Sequence, residues 1–227
     1  MENYKMDYNV DMVFCIDTTG SMQPVINMVK NNALNFYNDV VNNMAAKNKI
    51  INRLRVRVVA FKDYVADHEK AMMVTDFFEL PEQNRQFESC INSLSASGGG
   101  DEPEDGLEAL AYAIKSPWNE EGMKKRNIIV IWSDASTHPL GFGRKDYSYP
   151  RNMAKDFEEL TNWWGDSQNK GYINQSGKRL LMFTPDVNWW NNISENWDNV
   201  IHYPSEAGRG LDDIDYQQIL NAIYSSI

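Results

Sequence analysis

Asp17, Thr19 and Ser21 occupy alternate positions just after the apolar run 12–16, with Gly20 between the two hydroxyl-bearing residues. An acid and two hydroxyls so spaced can turn to one side of a loop that the glycine lets bend. Hard oxygens converging on one point suit a small divalent cation. Mg²⁺ fits best, because it keeps part of its water and accepts neutral hydroxyls beside carboxylates, and Mn²⁺ or Ca²⁺ can substitute. The bland alternative is that the same residues cap the helix that follows. Two other places carry acids. After the glycines at 98–100 come Asp101, Glu102, Pro103, Glu104 and Asp105, four carboxylates within five residues. They repel one another unless a cation or solvent intervenes, although a helix N-terminus also favours acids. Asp134 follows the apolar stretch 128–132 and Ser133, a position that a turn or cap residue can also occupy.

These loops depend on elements that bring them together. Residues 12–16 read as a buried parallel strand. Beyond the first loop, Pro24 sits where a first helical turn tolerates it, and Val25, Val29, Ala33, Phe36, Val40 and Met44 predict one long helix. Around residues 53–61, Leu54, Val56, Val58 and Ala60 alternate with Arg53, Arg55 and Arg57, predicting a strand with one wetter face. Residues 71–78 predict another strand, antiparallel to its predecessor because the connection is short. Pro81 opens a helix with Phe87, Ile91 and Leu94 on one face, and Leu107, Leu110 and Ile114 continue as a helix out of the acidic segment. Residues 127–133 form the clearest buried strand. A helical repeat follows at Met153, Phe157, Leu160 and Trp164, then strands at 179–184 and 199–203 and a closing amphipathic helix over 214–227. Strands alternating with helices predict an α/β fold, a Rossmann-like doubly wound sheet, mostly parallel with one antiparallel strand and helices on both faces. Acids placed after its parallel strands lie at the carboxyl edge, where such sheets bind ligands.

The bulk properties narrow the function. A chain of 227 residues, 42% of them hydrophobic, can bury one sizeable core, so one domain over residues 1–227 is expected. With 32 acids against 22 bases and a net charge of −10, nucleic acid is not an expected partner, because counterion release needs lysine and arginine surfaces. Apolar runs are strand-sized, which predicts no membrane span. The opening Met1, Glu2, Asn3, Tyr4, Lys5 lacks the basic and apolar parts of a signal peptide, so a cytoplasmic location is expected. Cys15 and Cys90 make no disulfide framework and should pack as small apolar groups. Gly141 and Gly143 have no third glycine in register and no strand before them, which excludes a dinucleotide site. Five of seven tryptophans, Trp163, Trp164, Trp189, Trp190 and Trp197, fall in the last third, mainly as core residues. Adjacent pairs cannot both face one helical core, so one member of each pair is expected at the surface.

Taken together, the Asp17-x-Thr19-x-Ser21 loop, the glycine-rich second loop and Asp134 after a buried strand resemble the metal-ion-dependent adhesion site of von Willebrand factor A domains. The resemblance covers the whole chain and implies strand order 3-2-1-4-5-6, with the loops of the first and fourth strands meeting at the switch point. It implies Asp17, Thr19, Ser21 and Asp134 as ligands, with Thr18 at the variable position. The second loop departs from the commonest pattern, in which a threonine reaches the metal. Here Asp101-Glu102-Pro103-Glu104 is similar to the Asp-x-Pro-Glu of integrin β-subunit domains, which implies Glu104 as the ligand, with Asp101 as the alternative or as the ligand of a second ion. The Gly-Gly-Gly-Asp-x-Pro-Glu segment is also similar to bacterial intracellular A domains, including those encoded beside kinases and phosphatases in tellurite-resistance clusters. That similarity implies a kinase- or phosphatase-linked assembly. The function implied is a non-catalytic protein-binding module, in which a partner's Asp or Glu completes the coordination of the cation. The rival reading is a Mg²⁺-dependent phosphohydrolase of haloacid-dehalogenase type with Asp17 as nucleophile. Such enzymes want a second aspartate two residues on, and Thr19 stands there.

Overall fold

The computed structural model describes residues 6–98, 103–209 and 211–227. Its centre is β1 (Met6–Asp17), longer than the apolar run alone predicts because it extends to Met6 through half-polar residues. β1 pairs in parallel with β2 (Lys49–Phe61) on one side and with β5 (Lys124–Trp132) on the other. β6 (Lys178–Pro185) and β7 (Val200–Ser205) continue the parallel sheet beyond β5. The antiparallel edge on β2 comes in two pieces, β3 (Met72–Val74) and β4 (Phe78–Leu80). Between them the pairing slips by one residue. Thr75 fills the gap, its hydroxyl accepting from the Val58 N–H at 3.0 Å and its own N–H donating to the Val58 carbonyl at 3.0 Å. The order β3-β2-β1-β5-β6-β7, with β4 also on β2, reverses direction at β1. This is the doubly wound arrangement expected.

Alternation along the strands builds two apolar layers. Val10, Met12, Phe14 and Ile16 of β1 join Leu54, Val56 and Val58 on one face. That face is covered by α1 (Gln23–Asn32), α2 (Phe36–Ala46), α4 (Asn84–Ser93) and α8 (Tyr216–Ser226). Val13 and Cys15 point to the other face, under α5 (Gly106–Ile114), α6 (Phe157–Trp164) and α7 (Asn188–Asn196). A one-turn helix, α3 (Tyr64–Asp67), follows β2. The long helix expected from Pro24 is two helices. Asn32 lies at the break, where its side-chain amide donates to the Met28 carbonyl at 2.7 Å and competes with the helical backbone for that acceptor. The arginines of β2 are less wet than their alternation suggests. Arg55 grips the buried Asp11 carboxylate with two bonds of 2.7 and 2.6 Å, and Arg53 does the same to Glu79 at 2.8 Å.

The tryptophan expectation fails in part, since Trp163 and Trp164 are both buried, at 8% and 1% exposed. Trp164 faces the core and stacks on Trp197, while the side of Trp163 that would meet solvent is closed by Tyr172 and by Lys115, whose ammonium lies 3.5 Å from the ring centroid. Trp190 is fully buried and Trp189 partly so. Among the described residues no helix is long and apolar enough to cross a membrane.

Candidate metal centre

Asp17 is the last residue of β1 and is fully buried. Its Oδ1 accepts from the Thr19 N–H at 2.9 Å and the Thr19 hydroxyl at 2.6 Å, and its Oδ2 accepts from the Ser133 hydroxyl at 2.7 Å. Thr18 turns the opposite way, and its N–H and hydroxyl both donate to the Phe61 carbonyl at the end of β2, at 2.9 and 3.2 Å. Alternation therefore does what the spacing predicts, gathering residues 17, 19 and 21 and excluding 18. The Ser21 hydroxyl then donates to Asp134 Oδ1 at 2.8 Å, across 113 residues of sequence. The first and third loops meet because β1 and β5 are neighbours with Ile16 opposite Trp132.

The second loop is threaded between them by its backbone. Glu104 and Thr137 form a parallel bridge, with the Glu104 N–H donating to the Ser136 carbonyl at 3.0 Å and the His138 N–H donating to the Glu104 carbonyl at 2.8 Å. The Thr137 hydroxyl donates to the same Glu104 carbonyl at 2.9 Å and accepts from the Leu107 N–H at 3.2 Å. Asp105 reaches the loop after β2, where its Oδ2 accepts from the Tyr64 N–H at 2.6 Å. Upstream, the Ser97 N–H donates to the Thr18 carbonyl at 3.0 Å, and Gly98 has a left-handed φ of 76° with Asp67 so close that a Cβ would stand 2.5 Å from its Oδ1. Asp101 lies outside the described residues, as does Glu102.

The centre is electrostatically unbalanced as it stands. Glu104 is 2% exposed, and its Oε2 is buried with no hydrogen-bond partner among the described residues. Burial first, then the charges of Asp17, Asp63, Asp67 and Asp105, push its carboxyl up to about 9. Burial also raises Asp17, to about 6, against the lowering effect of the Thr19 and Ser133 bonds, and Asp134 adds to the rise. Among the described residues no three His, Cys, Asp or Glu side chains are grouped so as to hold a metal by themselves. The donor set is mixed, carboxylates with hydroxyls. It is all oxygen, the chemistry of Mg²⁺, Ca²⁺ and Mn²⁺ rather than of a thiolate or imidazole site. The orphaned Glu104 oxygen and the raised acids fit a missing positive charge.

A pH dependence follows from these two groups. Both folded-state values lie above the ordinary carboxylate range, so between about pH 4.5 and about pH 9 the metal-free folded state holds more protons than the unfolded chain. Its stability is expected to fall as pH rises through that window, while Mg²⁺, which displaces the protons, should stabilise more at the alkaline end. Melting curves in chelator and in saturating Mg²⁺ across the window test this. A Mg²⁺-induced shift that shrinks toward high pH would contradict it.

Ser133 was not legible as part of the site, although a hydroxyl immediately before Asp134 is a usable signal. Asp63 and Asp67 lie in the short connection after β2, which no motif in the sequence marks. The His138 ring stacks on Phe142 at 3.9 Å and its Nε2 lies 3.7 Å from Asp63 Oδ2.

The comparisons with known proteins bear on the fold. The pilus adhesin SpaC from Lactobacillus rhamnosus GG superposes with a TM-score of 0.51 at 13% identity, over 96% of this chain and 30% of that one. Proximal thread matrix protein 1 from the mussel byssus, in a structure with a zinc-occupied MIDAS motif, gives 0.53 at 10% identity, over 98% of this chain and 48% of that one. The chain thus spans less than half the length of these structures, and at such identities the likeness concerns the fold. No curated protein matches the chain. The von Willebrand factor A domain model matches residues 11–137, more than half of the sequence and the stretch that runs from β1 through all three loops. On that match, and on the sheet order that accompanies it, the chain belongs to the von Willebrand factor A domain family.

Proposed function

We propose that the chain is a metal-dependent protein-binding module, an adhesion or scaffold domain rather than an enzyme. The observation that carries the reading is the Ser21 to Asp134 bond, which brings the hydroxyls of the first loop to the acid of the third, beside a buried glutamate with an orphaned oxygen. Asp17, Thr19, Ser21, Asp134 and Glu104 would hold the cation, Mg²⁺ by preference, and the cation would offer an open position to an Asp or Glu of a protein partner. Asp101 remains a candidate alternative ligand or the ligand of a second ion. The hydroxyls of Thr19 and Ser21 contribute no charge, so the bound ion keeps much of its attraction for an incoming carboxylate. A partner among kinase- or phosphatase-linked assemblies, in a bacterial cytoplasm, is the setting we favour, and two cysteines left unpaired agree with a reducing compartment.

The phosphohydrolase reading gains no support from the geometry. The second aspartate that such an enzyme wants two residues after Asp17 is replaced by Thr19, whose hydroxyl donates to Asp17 Oδ1 at 2.6 Å. Mg²⁺-dependent turnover of an aryl phosphate, lost in Asp17→Asn, would overturn our choice.

The direct test is a calorimetric titration with Mn²⁺ and Mg²⁺. Binding at the main site is expected, with affinity reduced by at least about tenfold in Ser21→Ala and again in Asp134→Asn. Acid-bearing peptides should then be retained in Mg²⁺ and released by chelator. Retention that ignores both chelator and Ser21→Ala would sink the proposal.

A further inference from the structure

At the end of α5 farthest from Gly106, a groove of about 420 Å³ opens between that helix and the segment leading into α6. It is large enough to seat a ligand and is lined by Tyr112, Lys115, Arg151, Asn152, Met153 and Trp163. Its charged groups are of one sign. Lys115 and Arg151 are both exposed, and among the described residues neither has a carboxylate within ion-pair distance. On a chain of net charge −10, two such cations in one groove stand out. The helix dipole explains a lysine at the C-terminal cap of α5 but not Arg151, which arrives from a separate segment. Lys115 is also held in place, its ammonium 3.5 Å from the Trp163 ring centroid and 5.3 Å from that of Tyr172. A preordered cation loses little freedom on meeting an anion. The half-buried Met153 supplies apolar surface against which the methylenes of a glutamate could lie.

We propose that this groove is a second docking surface, for an acidic segment of a protein partner, and that it works without the metal. Lys115 and Arg151 receive the carboxylates, and Asn152 adds an amide to the rim. An extended acidic segment suits a groove that is open to solvent better than a small anion does, since a small anion needs enclosure to be held.

The test uses the whole chain in chelator, so that no carboxylate can bind through a cation. A capped polyglutamate peptide is titrated and amide resonances are followed, with polyglutamine as control. Shifts are expected at Lys115, Arg151 and Asn152, with affinity falling by about tenfold or more in the double variant Lys115→Glu/Arg151→Glu and weakening in roughly 0.5 M salt. The variant should retain the Mg²⁺-induced rise in melting temperature, which shows that it is folded and that the metal centre is untouched. Equal binding by the variant, shifts elsewhere, or binding of inorganic phosphate but not of polyglutamate would overturn the proposal. Loss of Mg²⁺ binding by the parent chain would instead count against the metal-centre reading alone.

Discussion

Glu104→Gln is expected to make the metal-free protein more stable and at the same time to remove most of its response to Mg²⁺. Glutamine has nearly the shape of glutamate, so the packing and the Glu104 backbone bonds to Ser136 and His138 are undisturbed. What changes is the charge. The carboxyl is held up to about 9 by burial and by Asp17, Asp63, Asp67 and Asp105, so at neutral pH folding without metal requires it to take up a proton that the unfolded chain does not hold. Against an ordinary glutamate that uptake costs on the order of 3 kcal/mol at pH 7, which the amide avoids. For a chain of this length such a gain raises the melting temperature by roughly 5–10 °C. With saturating Mg²⁺ the order should reverse, because the parent regains a carboxylate ligand and the variant cannot. The crossing of the two melting curves between chelator and Mg²⁺ separates a functional acid from a merely structural one. A variant that melts below the parent in chelator, or keeps the full Mg²⁺ shift, would remove Glu104 from the centre.

Much of this centre is legible in the sequence. The apolar runs mark the strands because burial on both faces of a parallel sheet leaves few places for polar residues, and a polar residue that ends such a run must lie at the edge. Asp17 and Asp134 are legible for that reason, and the family resemblance sets Thr18 aside at its variable position. Asp63 and Asp67 are not legible, since their place beside the centre depends on which strand ends are neighbours, a nonlocal property that no local pattern encodes. The break between α1 and α2 lies at Asn32, whose side chain donates to the Met28 carbonyl, a local bond that the apolar repeat does not announce. No pattern announces α7. Its cap residue Val187 makes no side-chain capping bond, and three of its nine residues, Trp189, Trp190 and Ile193, are the only large apolar ones, so its helical period is short and weak.

That unannounced helix carries the second large effect. Trp190 is fully buried, its indole N–H donates to the Ala135 carbonyl at 3.0 Å, and its Cη2 lies 2.5 Å from where a Cβ on Gly106 would stand. One ring therefore braces the residue after Asp134 and sits against the helix that starts just after Glu104. Trp190→Ala should cost about 3–5 kcal/mol through the cavity it leaves. Gly106→Ala alone should cost about 1–3 kcal/mol, because the added methyl meets an aromatic ring that has no room to withdraw. Trp190→Phe removes the outer atoms of the indole together with its N–H, which frees the space that the added methyl needs. In the Trp190→Phe background the Gly106→Ala change should therefore cost at least about 1 kcal/mol less than in the parent. Chemical denaturation of the four proteins closes the cycle, and Mn²⁺ titration of each shows whether the brace also sets metal affinity. The Trp190→Phe single variant should bind Mn²⁺ more weakly than its modest loss of stability explains, because the Ala135 carbonyl beside Asp134 has lost its indole donor and keeps only the longer bond from the Ser133 hydroxyl at 3.3 Å. Strictly additive costs would mean that Trp190 and Gly106 do not share this contact, and unchanged Mn²⁺ affinity would confine the tryptophan to the core.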